Sequence, residues 1–169
     1  MSAIGGTGIP AIIYGTAWKK ADTGRLVEAG RVRRLGISNC YDPAELEHLW
    51  HGSRIKPAVV QNRFYAETGY DRKIRAFCDE RHIVYQSFWT LTANPQVLAH
   101  ATITALASAH GRTAAQILFR YLTQAGIVPL SGTRSVAHMR EDLSIFEFEL
   151  TAAECRAVDK ILMDTCAAA

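Results

Sequence analysis

Ser38 and Asn39 close a short apolar run, Leu35-Gly36-Ile37, and set a hydroxyl beside a carboxamide. The arrangement recurs along the chain. Gln61, Asn62 and Arg63 follow Ala58, Val59 and Val60, while Gln86 and Ser87 follow Ile83, Val84 and Tyr85 and lead into Phe88 and Trp89. Ser131, Gly132, Thr133 and Arg134 follow Ile127 to Leu130, and Gly15 and Thr16 follow Ala11 to Tyr14. Carboxamides and hydroxyls both donate and accept, so Ser38, Asn39 and Gln61 could together read an amide, which also does both. Ser131, Thr133 and Arg134, ahead of a short helix, suit a phosphate. Taken singly, Ser-Asn is ordinary turn chemistry and a glutamine can simply close a sheet end. Repetition at every strand end is what turns alone do not require.

The elements that must position these residues are marked by apolar runs and caps. Strands are expected over Ala11 to Tyr14, the run ending at Ser38, the run opened by Pro57, the stretch Ile83 to Trp89, and Ile127 to Ser131. Asp42 followed by Pro43 and Glu45 starts a helix that places Leu46, Leu49 and Trp50 on one face. Tyr70, Ile74, Phe77 and Cys78 fall at helical spacing, and residues 96–110 read as one helix with Val97, Leu98, Ala101, Ala105 and Leu106 along one side. Thr113 caps a helix carrying Ile117, Leu118, Tyr121 and Leu122; a short helix spans Val136 to Leu143; and Thr151 with Glu154 forms a capping box for the last one. Short apolar strands alternating with helices predict parallel strands with helical crossovers in one domain. In such folds ligands meet the carboxyl ends of the strands, where the polar residues fall.

Composition narrows the function classes. The 169 residues include 49% apolar ones, enough for a single core, and 19 Lys and Arg against 16 Asp and Glu, a net charge of +3. That excess is small and scattered. It suits an anionic small molecule and argues against nucleic acid as a partner. No apolar run approaches the ~18 residues of a membrane span, so no membrane partner is expected. Cys40, Cys78, Cys155 and Cys166 form no CxxC pair and read as free thiols, which points to a reducing, cytoplasmic setting. Residues Gly5 to Gly8, GGTG, do not match GxGxxG. His and Cys show no metal-ligand spacing and no HExxH occurs, so no metal is expected. Carbonyl reduction needs a proton donor with a supporting partner. Tyr14 precedes Gly15, Tyr41 lies in the turn before a helix, Tyr65 follows the third strand with no Lys or His evident beside it, and His82 and His110 sit at helix ends.

The stretches GRVRRLGISNCYD, KPAVVQNRFYAETGYD, YQSFWTLTANP, TAAQILFRYLTQAGIVPLSGTRSVAHMREDL and FELTAAE resemble the aldo-keto reductase family, in a fungal-like branch, from about Arg31 to Leu162. Residues 1–30 resemble the first strand and helix of that family, and residues 31–169 its C-terminal half. The resemblance implies an incomplete (β/α)8 barrel of α/β class, with about five parallel strands, outer helices and three internal β/α units lacking a counterpart. Its open strand edges would invite oligomerisation. The implied family reaction is NADPH-dependent reduction of a small aldehyde or ketone to an alcohol.

The resemblance further implies that Ser38, Asn39 and Gln61 hold the nicotinamide carboxamide, that Ser87 lies near the pyrophosphate, and that Ser131 meets the adenosine phosphate. Gln86 stands where the family has the tyrosine that stacks on nicotinamide, with Phe88 or Trp89 as the remaining aromatic faces. Leu130 stands at a common lysine position, His138 near an arginine position and Asp142 at an adenine-facing asparagine position. Thr133 and Arg134 supply the nearest substitute for the lost charge, so the expected cofactor is NADPH with NADH as the alternative. No catalytic residue carries over, because the family's Asp, Tyr, Lys and His come from the segments without a counterpart. Two further readings stand beside the enzyme: a noncatalytic dinucleotide binder, and a fragment that is nonfunctional or depends on a partner.

Overall fold

β-Branched and aromatic residues in short runs, each closed by polar residues, build four parallel strands in the computed structural model, which describes residues 27–167. They are β1 (Gly36–Ser38), β2 (Val59–Arg63), β3 (Val84–Phe88) and β4 (Val128–Pro129), ordered β1-β2-β3-β4 in one sheet. The expected strand over Ala11 to Tyr14 lies outside the described residues. Helices cross between successive strands: α1 (Pro43–Gly52), α2 (Arg72–Glu80), α3 (Pro95–Leu98), α4 (Ala101–His110) and α5 (Ala114–Gln124), followed after β4 by α6 (Val136–Leu143) and α7 (Ala152–Ala167). This order of parallel strands and helical crossovers is that of a β/α fold.

The register assigns the two faces of the sheet. Ser38 pairs with Gln61, Gln61 with Gln86 and Gln86 with Val128; one residue out of phase, Ile37 pairs with Val60 and Asn62 with Ser87. Side chains alternate across a strand, so the first set shares one face and the second faces the helices. Val60, Asn62, Tyr85 and Ser87 are accordingly buried, whereas Gly36 and Ser38 are exposed and Val59, Gln61 and Arg63 are partly so. Gln86 is the buried member of the first set. Gly36 permits close strand approach, since a Cβ there would lie 3.1 Å from both the side chain and the carbonyl of Val59.

The core lies between sheet and helices, around Leu46, Val60, Phe64, Tyr70, Ile74, Ile103, Ile117, Leu118, Leu122 and Leu162. Caps form where expected. Asp42 accepts from the Ala44 N–H at 2.9 Å with Pro43 behind it, and Thr151 and Glu154 exchange both capping-box bonds, at 2.7 and 3.2 Å.

Two helices depart from expectation. Residues 96–110 are broken at His100, whose extended backbone (ψ 137°) and ring Nδ1, accepting from the Thr102 N–H, start α4 afresh. The break resets the helical phase, so Ile103 and Ala107 face the core while Ala101 and Ala105 face solvent. The helix expected to include Tyr70 begins instead at Arg72. Gly69, Tyr70 and Asp71 all adopt left-handed backbone, at φ 63°, 52° and 53°. For the two non-glycine residues this costs about 1–2 kcal/mol each. Buried hydrogen bonds offset that cost. Tyr70 donates to Asn94 Oδ1 (3.0 Å), and Asp71 Oδ2 accepts from Asn62 Nδ2 (2.7 Å) and Tyr85 Oη (2.8 Å).

Asn62 also accepts from the Cys40 N–H (3.0 Å) and donates to the Cys40 carbonyl (2.6 Å), so one fully buried carboxamide joins β1, β2 and the left-handed turn. Removing it leaves several buried groups unpaired, each at about 1–3 kcal/mol before relaxation. Asn62→Ala should therefore lower unfolding stability by about 2–4 kcal/mol in urea denaturation.

Candidate functional site

The carboxyl ends of β1, β2 and β3 bring Ser38, Gln61 and Gln86 side by side in one row. Gln61 Nε2 donates to Gln86 Oε1 at 2.9 Å, which leaves the Gln61 carbonyl oxygen and the Gln86 amide nitrogen as acceptor and donor for another group. Asn39 follows the row in left-handed backbone (φ 57°), a conformation asparagine tolerates. Its N–H bonds the Gln61 carbonyl at 3.2 Å and its Oδ1 accepts from Tyr41 Oη at 3.1 Å. Its amide nitrogen is thereby oriented as the remaining donor. Tyr41 Oη in turn accepts from the Arg63 N–H at 3.1 Å. Burial raises the Tyr41 hydroxyl pKa, with the Arg63 N–H bond opposing, so this phenol stays neutral and committed to holding Asn39.

Arg63 shares the face of Gln61 and stands two residues further along β2. Its guanidinium lies 4.1 Å from the Trp89 ring centroid and 5.5 Å from that of Tyr65, which packs edge-on against Tyr41 at 6.0 Å. Trp89 is 52% exposed. Ser87 belongs to the opposite, helix-facing side; it is fully buried, and its hydroxyl accepts from Thr90 Oγ1 at 3.0 Å. The fold does not bring that hydroxyl into the row.

Beyond β4 the predicted polar cluster assembles on the approach to α6. Ser131 donates to Asp142 Oδ2 at 2.5 Å. Thr133 Oγ1 accepts from the Ser135 N–H at 3.1 Å and stands 3.5 Å from His138 Nδ1. Ser135 caps α6 by accepting from the His138 N–H at 3.3 Å, and Arg134 is exposed. Sequence reasoning missed the capping role of Ser135, although Ser135 three residues ahead of His138 is a legible N-cap position. The Arg63–Trp89 stack had no sequence signal, since the two residues lie on different strand ends.

The other candidate acids and nucleophiles occupy structural positions. His110 Nε2 is 2.9 Å from Glu154 Oε1, and the Thr151 N–H bond, followed by His110, holds the Glu154 carboxyl below its ordinary pKa. His82 ends α2 in left-handed backbone, and its N–H bonds the Asp79 carbonyl. Burial pushes the Cys78 thiol up to about 12 and also raises Cys40. Tyr14 lies outside the described residues. Among the described residues no group of three or more His, Cys, Asp or Glu could hold a metal ion, and no helix is long and apolar enough to cross a membrane.

Comparison with known proteins decides the lineage of this rim. Residues 23–163 match the aldo/keto reductase family. The chain belongs to that family. It is 28% identical over 148 residues to the uncharacterized oxidoreductase YtbE of Bacillus subtilis (strain 168), covering 88% of this chain and 51% of that protein. Human aldo-keto reductase family 1 member C3 is 28% identical over 155 residues, 85% of this chain and 47% of its own length. Among solved structures, an aldo/keto reductase from Brucella melitensis superposes with a TM-score of 0.73 at 25% identity, over 82% of this chain and 52% of that one. A Gox0644 variant crystallised in complex with NADPH gives 0.74 at 27% identity, over 82% and 50%. The chain thus spans about half the length of the relatives it matches, and its fold is the corresponding part of an aldo-keto reductase barrel.

Tyr41→Phe tests the positioning of the row. It removes the donor to Asn39 and the acceptor of the Arg63 N–H, and should cost about 1–2 kcal/mol by thermal unfolding. The Asn39 side-chain amide resonances should broaden or shift in the same variant.

Proposed function

We propose that this family member binds a reduced nicotinamide dinucleotide across its C-terminal rim and that the 169-residue chain reduces carbonyl compounds poorly. The observation that carries the reading is the in-register row Ser38, Gln61 and Gln86, with Asn39 held beside it. A carboxamide needs an acceptor for its N–H and a donor for its carbonyl, and the open atoms of Gln61, Gln86, Asn39 and Ser38 are of both kinds. The residues therefore fit the nicotinamide end. Ser131, Thr133 and Arg134, ahead of α6 and near His138, fit a phosphate at the adenosine end, with Arg134 as its cation. Ser87 supports the rim from behind by holding Thr90. The complex of the Gox0644 variant with NADPH favours the same cofactor class here.

The dinucleotide, when bound, supplies the hydride for reduction of an aldehyde or ketone. The chain's own residues have then to deliver a proton to the carbonyl oxygen. Tyr41 is the phenol bonded to the row, and its O–H is engaged with Asn39. Lacking a matched Tyr with Lys, Asp and His support, the chain forgoes about 10²–10⁴ in rate from acid catalysis. Asp142 sets the choice between cofactors. Its carboxylate accepts from Ser131 within the phosphate-suited cluster, so a further phosphate held there would meet a like charge, disfavouring NADPH relative to NADH by about 1 kcal/mol.

Calorimetric titration with NADPH and NADH tests the reading. Saturable binding, weakened in Gln61→Ala, together with weak turnover across an aldehyde panel, is expected; absence of saturable binding for both dinucleotides would overturn it. Asp142→Asn should improve NADPH affinity relative to NADH by roughly 3- to 10-fold.

A further inference from the structure

The face that carries Gln61 also carries an arginine whose surroundings differ from those of every comparable arginine among the described residues. Five arginines stack on aromatic rings: Arg63, Arg75, Arg81, Arg112 and Arg120. Arg81, Arg112 and Arg120 each also bind a carboxylate, of Glu80, Glu147 and Glu149. Arg75 donates to the Tyr70 carbonyl. Arg63 alone of the five has no side-chain hydrogen bond and no ion pair within the described structure; its Nε, like that of Arg120, is buried without a partner. Trp89, stacked on it, is held in left-handed backbone (φ 60°) while half-exposed. For a bulky residue that conformation is strained, and burial of its ring does not explain it.

We propose that Arg63, packed against Trp89, receives the carboxylate of a carbonyl substrate, so that the ligand class is the oxo acids whose carbonyl and carboxylate are several bonds apart. The inference deepens the dinucleotide reading above and rests on it for the position of the reacting carbonyl. Rings over the faces of a guanidinium leave its N–H edge in plane, which is the geometry that forks onto a carboxylate. Two residues along a strand span about 6.6 Å. A flat aromatic oxo acid with its two groups across the ring bridges that distance, with its carboxylate at Arg63 and its carbonyl toward the nicotinamide proposed at the Gln61 row. The phosphate-suited cluster stands elsewhere, at Ser131 to Arg134.

4-Formylbenzoate and its uncharged methyl ester are the probes, applied to the full chain with and without NADPH. Binding is read by calorimetry and by the Arg63 Nε–H and Trp89 indole resonances. Saturable binding of the acid, at least tenfold tighter than the ester and shifting both resonances, is expected. Arg63→Gln should weaken the acid about tenfold or more and leave NADPH affinity within about twofold; Arg63→Lys should fall between, because an ammonium cannot fork. Trp89→Ala, with unchanged far-ultraviolet circular dichroism, should weaken it as well. Equal binding of acid and ester, or binding of neither, overturns the proposal. So does an Arg63→Gln variant that loses NADPH but keeps the acid, which would make Arg63 a phosphate contact. If NADPH fails to bind wild type, the dinucleotide reading falls, and the titration without it still decides whether Arg63 holds the carboxylate.

Discussion

The buried carboxamide of Asn62 is the constraint on which the rim depends. It clasps both backbone groups of Cys40 and the Asp71 carboxylate, out of reach of water. In such surroundings an unpaired amide or carboxylate is expensive, so the arrangement has few alternatives. Because a strand alternates its side chains, fixing Asn62 toward the helices fixes Gln61 and Arg63 toward the opposite face. Clasping Cys40 also fixes the path of the chain just after Ser38 and Asn39. The polar rim is thus positioned by a residue that takes no part in it.

The same buried layer holds backbone that would otherwise relax. Tyr70 and Asp71 stay left-handed because their side chains reach Asn94, Asn62 and Tyr85. Asn94 passes the restraint on, donating to the carbonyls of Phe64 and Thr90. Thr90 bonds Ser87 and follows Trp89, so the turn carrying the exposed indole is anchored from beneath. The left-handed residues Asn39 and Trp89 follow β1 and β3, either side of β2, on the rim where ligands of β/α folds bind.

The chain spans about half of its relatives' length, and the dinucleotide site proposed for it draws on the ends of β1, β2 and β3 and the approach to α6. The proposed division follows from topology: in a barrel each strand end contributes its own few groups, so a cofactor-facing set and a proton-delivering set can reside on different strands. The Arg63–Trp89 pair stands at the ends of β2 and β3, so the anchoring role proposed for it is physically separable from proton delivery.

The order of elements from Arg31 onward, the caps at Asp42, Thr113 and Thr151, the apolar face of α5, and the family were all legible in the sequence. Each is encoded locally, by residues within a turn or two of one another or by motifs that survive divergence. The co-location of Ser38, Asn39 and Gln61 was legible too, because parallel strands must deliver their ends to one rim. The break at His100, the left-handed turn at Tyr70 and Asp71, the burial of the Ser87 hydroxyl, the bond between Gln61 and Gln86, and the stacking of Arg63 on Trp89 were decided only by tertiary structure. In each of these the deciding partner is remote in sequence, or the choice depends on a register or phase that a single residue's slip would invert. Local chemistry thus specified which groups the chain carries, and packing specified which of them meet.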